Sequence, residues 1–253
     1  MDKNIGNIKS WLFISDLDDT LIGDNIALQL LVSEIENHRE KIIIVFNSSR
    51  PCESIRRSLS DHDGLQSLQP DYIVGALGTE IEDRFGKPVL EYRRCFIKGW
   101  NREQIAKLMG ELGFEPHPQE FQTPFKASYY IDDYEQYIFV KEQLARHGHH
   151  VKVIFSGGSN LDIIPLESGK GKAIEFLRFR SAIYPDRVVV SGDSANDIDM
   201  FSEASKGIVV GNADPELKKL SGSHIFKANA AYAAGVLEGL IYWGVIPSDR
   251  GHG

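Results

Sequence analysis

A chain of 253 residues is long enough for one large domain or two smaller ones. Its net charge of -8 argues against nucleic acid or an anionic membrane surface as a partner, since both select basic stripes. It has 42% hydrophobic residues but no run of about 18 apolar ones, so no membrane span is expected, and only two cysteines, which points to a reducing, cytoplasmic setting without disulfides. The first residues, MDKNIGNIKSW, lack the apolar core of a secretory leader.

In chain order, WLFIS (11–15) is a continuous apolar run of the kind buried on both faces of a parallel sheet. Residues 26–39 follow with Leu28, Leu31, Val32 and Ile35 at helical spacing, and Asp24 is placed to cap them. IIIVF (42–46) and YIVG (72–75) are further buried strands. IEDR and PVLEY then flank Phe85-Gly86-Lys87, which reads as a hairpin turn. A helix is expected near 101–112, with Ile105, Leu108, Met109 and Leu112 on one face. KASYYI (126–131) alternates as a strand, a helix follows near 134–147, and VKVIFS (151–156) is another strand. Gly157-Gly158 reads as a hinge or a plain turn. RVVVSG (187–192) and GIVVG (207–211) restore the buried-strand texture, a last helix covers 230–243, and the tail PSDRGHG is expected to fray. The β-α-β rhythm implies a doubly wound α/β core, residues 1–80 and 161–253, interrupted by an α+β module at 81–160.

In such a core, ligands bind beyond the carboxyl ends of the strands. Polar clusters stand at those ends: Asp16, Asp18 and Asp19; Ser48, Ser49 and Arg50; Gly78, Thr79 and Glu80; Asp193, Asn196 and Asp197. Close carboxylates ionise together only when something neutralises them; Asp16 and Asp193 together would attract a divalent cation, and short carboxylates favour Mg²⁺ over zinc. A carboxylate there is able to attack a phosphoryl group, and a second one two residues on is able to protonate the leaving oxygen and then activate water. Ser48 and Lys170 suit phosphoryl oxygens. Other features read as ordinary surface. Asp19 is a bystander, Lys172 faces solvent, and HGHH (147–150) is a solvated helix end without metal spacing.

DLDDT, NSSR, SGKGKA and GDSANDIDMF, in this order and at these distances, resemble the motif set of the haloacid dehalogenase superfamily of phosphohydrolases. The inserted module resembles its type C2 cap. Local sequences GTEI, FKASYYI and LDIIP resemble most the sucrose-phosphate phosphatases within it. The resemblance implies Asp16 as nucleophile and Asp18 as general acid/base, with the Asp18 carbonyl on Mg²⁺. It implies Asp193 as metal ligand, with Asp197, partly through water, and Asn196 holding that site. Ser48, Lys170 and Asn196 would bind phosphate. Ser49 stands where many relatives have Gly, and is expected to supply a second donor. Arg50 divides between a structural ion pair and a substrate contact.

Substrate choice falls to the inserted module. Lys126, Ser128 and Tyr130 share strand parity and hence one face; Asn160 and Asp162 lie near its exit, and Thr79 and Glu80 reach from the core edge. A monomeric, Mg²⁺-dependent sugar-phosphate phosphatase acting on sucrose 6-phosphate is the resulting expectation. The alternatives are a mannosylfructose-phosphate or mannosyl-3-phosphoglycerate phosphatase, a phosphomannomutase-like transferase, or a non-catalytic sugar-phosphate-binding subunit.

Overall fold

Apolar runs such as WLFIS and IIIVF become strands because helices cover both faces of the sheet they form. The computed structural model describes residues 9–61 and 63–248. Its first half runs β1 (Trp11–Ser15), α1 (Asn25–Glu36), β2 (Ile42–Asn47), α2 (Cys52–Asp61), α3 (Asp63–Leu68), β3 (Tyr72–Gly75), β4 (Glu80–Asp83), α4 (Leu90–Arg93) and α5 (Arg102–Glu111). Then come β5 (Ala127–Tyr130), α6 (Tyr134–Arg146), β6 (Val151–Ser156), β7 (Asn160–Pro165), α7 (Lys170–Arg180) and β8 (Val188–Gly192). The last part is α8 (Ile198–Glu203), β9 (Lys206–Val209), α9 (Pro215–Lys218), β10 (Ile225–Lys227) and α10 (Tyr232–Tyr242).

The main sheet has the order β10-β9-β8-β1-β2-β3-β4, parallel except for β4, which runs antiparallel to β3 at the edge. From β1 the chain winds outward through β2 to β3, then returns on the other side of β1 through β8. The strand order therefore reverses between β1 and β8, and a crevice opens beyond their carboxyl ends. Asp16 and Asp193 are the residues that follow those two strands.

A second sheet, order β5-β7-β6, is antiparallel. Its Ala127, Tyr129, Leu161 and Ile163 pack with Ile105, Met109, Val140 and Leu144 from α5 and α6 into a separate apolar cluster. Its other face carries Lys126, Ser128, Tyr130, Asn160 and Asp162, as strand alternation requires. This polar face touches the main sheet's loops. Lys126 Nζ donates to the Ser49 carbonyl at 3.1 Å and Lys152 Nζ to the Ser168 carbonyl at 2.7 Å.

The expected segment limits shift at both ends. β4 belongs to the main sheet, and β7, which begins at residue 160, is the middle strand of the small one. A hairpin that was not expected lies one turn earlier. β3 and β4 are joined by Ala76–Thr79, with Ala76, Leu77 and Gly78 all at positive φ. Phe85-Gly86-Lys87 makes a turn as expected, with Gly86 at positive φ, the Asp83 N–H donating to the Lys87 carbonyl at 3.0 Å, the Val89 N–H to the Ile81 carbonyl at 2.8 Å and Glu82 bridging Pro88, before PVLEY enters the short helix α4. Gly157 and Gly158 form the turn between β6 and β7, not a hinge between domains. Asp24 caps α1 as expected, accepting from the Ile26 and Ala27 N–H groups. Of the tail PSDRGHG, residues 249–253 lie outside the described residues.

At the opposite end of the sheet from the crevice, Asp71 is a buried clamp. Its carboxylate meets Lys9 Nζ at 2.8 Å, Arg39 at 2.9 Å, Arg84 and the Ile44 N–H at 3.0 Å. Burial alone would raise its pKa, but these donors outweigh it and hold the carboxyl below its ordinary value. Asp71→Ala is expected to lower unfolding stability by about 2–3 kcal/mol at neutral pH. The folded pKa is depressed, so this contribution is present above the unfolded carboxyl pKa and fades as pH falls through the folded one. Paired denaturant melts at pH 7 and pH 3 check it, and an equal deficit at both values would contradict it.

Candidate active site

Lys170 opens α7 and is 1% exposed. Its ammonium donates to Asp16 Oδ1 at 2.7 Å, Asp197 Oδ1 at 2.6 Å and Asn196 Oδ1 at 2.8 Å. Those bonds use all three of its protons. Burial pushes its pKa down, but the two carboxylates outweigh that and hold it firmly protonated. The backbone places it. Gly78 and Gly169 pack so closely that a Cβ on Gly78 would lie 2.2 Å from the Gly169 carbonyl, and both adopt positive φ. Asn47, at the end of β2, donates to the Lys170 carbonyl at 3.1 Å.

Asp16 follows β1 and is 6% exposed. Its N–H donates to the Ser191 carbonyl, while Ser15 Oγ donates to its carbonyl and accepts from Ser191 Oγ. The side chain is thus mounted on two adjacent strands. Burial raises its pKa, Lys170 opposes, and Asp197 and Asp193 reinforce the rise. Asp193 is pushed up to about 7, first by burial and then by Asp197. Thr20 Oγ1, fully buried, donates to Asp193 Oδ1 at 3.0 Å.

Carboxylate oxygens of Asp16, Asp193 and Asp197 lie within 4.8 Å of one another. Three carboxylates against one ammonium leave two negative charges, which one divalent cation would balance. The donors are all oxygen, which suits a hard cation. The three are not equivalent. Asp197 spends Oδ1 on Lys170, and its Oδ2 accepts the N–H groups of Asp193 and Ser194 at 3.1 and 3.2 Å. Asp16 and Asp193 each keep one oxygen without a hydrogen bond among the described residues, so these two are the better ligands.

The remaining expected residues divide. Asp18 is half exposed and pairs with Arg50 Nε at 2.9 Å, so Arg50 makes an ion pair at the site's rim. Ser48 is buried, and its Oγ accepts the Arg50 N–H at 3.2 Å. Ser49 offers its carbonyl to Lys126. Lys126 also lies 3.3 Å from Asp162 Oδ1, which accepts from Ser128 Oγ at 2.5 Å. Tyr130 is 45% exposed, and Asn160 pairs with it in register across the same face.

Thr79 and Glu80 turn away from that face. Thr79 is fully buried and donates to the Ala76 carbonyl within its own turn, and Glu80 accepts the Cys52 N–H at the start of α2. Their hydrogen bonds go to the β3–β4 turn and to the start of α2. Asp19 bonds only through its carbonyl, to Asn212. Lys172 pairs with Glu175 at the surface, and His147 closes the end of α6. The sequence reading missed Thr20, Asn47 and His117. The first two stand inside quoted motifs, DLDDT and NSSR, where polar residues next to buried strands were the available signal.

The family model for sucrose-6F-phosphate phosphohydrolase matches residues 9–244. Mannosylfructose-phosphate phosphatase of Agrobacterium fabrum is 31% identical, covering 93% of this chain and 98% of that protein. Probable sucrose-phosphatase 3b of Arabidopsis thaliana is also 31% identical, over 82% of this chain and 52% of that one. Sucrose-phosphatase 1 of Nicotiana tabacum is 28% identical, and the match spans 60% of it. The chain therefore spans little more than half of those plant relatives. The structure of the sucrose-phosphatase from Synechocystis sp. PCC6803, in complex with sucrose and phosphate, aligns with a TM-score of 0.86 at 29% identity, over 93% of this chain and 98% of that one.

Lys170→Met would leave two buried carboxylates facing each other without their cation. The variant is expected to lose about 3–5 kcal/mol of stability at pH 8. The loss should shrink toward pH 5, where protonation removes the unpaired charges. Thermal melts of both proteins without metal across this range measure it; a deficit independent of pH would contradict the assignment.

Proposed function

The chain belongs to the sucrose-6F-phosphate phosphohydrolase family and is a phosphoric monoester hydrolase, and from that premise we propose that it removes the phosphate of a phosphorylated disaccharide, sucrose 6-phosphate in the first instance. The observation that carries this reading is the buried Asp16–Lys170–Asp197 cluster beneath a polar cap face. We assign Asp16 as the nucleophile. One of its carboxylate oxygens attacks phosphorus, the other being left to the cation, the bond from phosphorus to the sugar oxygen breaks, and an aspartyl-phosphate results. Asp18 gives the departing sugar oxygen its proton, then takes one from the water that releases phosphate. The ion pair with Arg50 keeps the Asp18 side chain at the rim until substrate arrives.

Ser48 and Asn196 supply contacts for phosphoryl oxygens, with Ser49 as a further donor, and Lys170 contributes by exchanging one of its three present acceptors for a phosphoryl oxygen. Asp16, Asp193 and the Asp18 carbonyl would hold Mg²⁺, and Asp197 would steady them from behind through Lys170 and the 193–194 backbone. When bound, the ion neutralises charge on the phosphoryl group. Lys126, Ser128, Tyr130, Asn160 and Asp162 form the proposed sugar-facing surface. Lys126 bridges this surface to Ser49, beside the phosphate site, so the same side chain links both halves of the substrate.

The Agrobacterium relative, named as a mannosylfructose-phosphate phosphatase and matched nearly end to end, favours mannosylfructose phosphate as the second reading. Mannosyl-3-phosphoglycerate and a mutase-like transfer rank below both. Among the described residues no helix is long and apolar enough to cross a membrane. The reducing cytoplasm is the proposed compartment, and a monomer the proposed state.

With Mg²⁺ present, phosphate release from sucrose 6-phosphate or mannosylfructose phosphate is expected to exceed that from glucose 6-phosphate or p-nitrophenyl phosphate in kcat/KM. Removing the ion with chelator should abolish it, and Asp16→Asn should lower it at least about a thousandfold. Equal rates across the panel would overturn the disaccharide reading. Isomerised sugar phosphate without free phosphate would overturn hydrolysis.

A further inference from the structure

His117 lies in a segment, residues 115–117, that pairs with β5 without being a regular strand. The Tyr130 N–H donates to the Glu115 carbonyl, and the His117 N–H to the Ser128 carbonyl, both at 2.9 Å. Pro116 bridges Tyr129 in the antiparallel sense. Gln122 locks this pairing, donating to the carbonyls of His117 at 3.1 Å and Ser128 at 2.7 Å. His117 therefore stands opposite Ser128, and antiparallel partners share a face. That face carries Lys126, Ser128 and Asp162, and through Lys126 it reaches the phosphate site.

The imidazole lies against the Tyr130 ring, with centroids 4.0 Å apart and planes at 31°. Burial holds its pKa below the ordinary value, while Asp162 and the Tyr129 backbone pull the other way and Lys126 adds to the fall. A neutral ring has one donor nitrogen and one acceptor. Nε2 is buried and has no hydrogen-bond partner among the described residues. In the tautomer that carries its proton on Nδ1, Nε2 is left with its lone pair. A buried acceptor without a partner costs free energy, and a ligand that supplies a hydroxyl removes that cost. Ser128 is already engaged with Asp162, and Asp162 with Lys126.

We propose that His117 is a specificity-determining residue of the cap, accepting through Nε2 a hydrogen bond from a hydroxyl on the sugar ring remote from the phosphate. The proposal rests on the disaccharide-phosphate reading above. Its backbone is pinned by Gln122 and Ser128, so the acceptor is held in place before the sugar arrives.

His117→Phe keeps a ring against Tyr130 but removes the acceptor, and His117→Gln restores a carbonyl oxygen near the Nε2 position. Steady-state kinetics of both full-length variants with Mg²⁺ would use sucrose 6-phosphate, mannosylfructose phosphate and p-nitrophenyl phosphate. For the disaccharide phosphate that wild type prefers, H117F should lose about tenfold in kcat/KM, mostly through KM, and H117Q should recover part of it. Turnover of p-nitrophenyl phosphate, which has no second ring, should stay within about twofold. Unchanged disaccharide kinetics in H117F would overturn the proposal and leave the substrate reading intact. An equal fall on p-nitrophenyl phosphate would make His117 a structural residue and also overturn it. A wild type that prefers neither disaccharide phosphate would overturn the substrate reading and this proposal with it.

Discussion

A fully buried ammonium is tolerated only where carboxylates surround it, and the geometry of the core follows from that requirement. Lys170 is held by Asp16, Asn196 and Asp197, which come from the loops after β1 and β8. These strands flank the reversal of the sheet, so the charge cluster sits where the chain's winding leaves a crevice. The ammonium binds the two loops together. Around it, the serine pair across β1 and β8, the amide of Asn47 and the close Gly78–Gly169 contact each fix one backbone segment of the cluster. The excess of negative charge that remains would suit a divalent cation.

Above this cluster lies the polar face of the small sheet. Its opposite face is an ordinary apolar layer against α5 and α6, which makes it a rigid plate. The plate bears on the core through lysine-to-carbonyl contacts, Lys126 to Ser49 and Lys152 to Ser168. Lys152 also approaches Asp199 at 3.6 Å, over Gly169 and beside Lys170. Gly169 holds φ at +130°, a conformation that favours glycine, and a Cβ there would lie 2.6 Å from Lys152 Nζ, where cap and core meet. Asp16 and Lys170 are almost wholly shielded from solvent. Such shielding strengthens each electrostatic contact and keeps bulk water from the reaction.

The core was legible because strands buried on both faces must be continuously apolar, and because DLDDT and GDSANDIDMF carry their carboxylates at strand ends. The β3–β4 hairpin was not. Its turn uses Ala76 and Leu77 in left-handed conformations that their side chains do not advertise, and the Phe85-Gly86-Lys87 stretch offered a stronger turn signal. The bonds of Thr79 and Glu80 were hidden for the same reason, since a reversed edge strand brings them to the turn and to α2. The strand Asn160–Pro165 was read only as a local match, although it is the middle of the small sheet, because its Asp162 breaks the apolar run. His117 lies between two prolines, in a stretch that reads as coil; long-range pairing alone puts it beside Ser128.

The account stands on Asp16 as the atom donor to phosphorus. Asp18→Asn with p-nitrophenyl phosphate and Mg²⁺ isolates that step, because nitrophenolate leaves without needing a proton while the second step loses its base. Rapid mixing should give a burst of nitrophenolate close to one per enzyme, followed by slow turnover. Mass spectrometry of the quenched protein should find one phosphoryl group on the peptide that contains Asp16. Absence of a burst together with an unmodified Asp16 peptide, or phosphorylation at a different residue, would contradict the account.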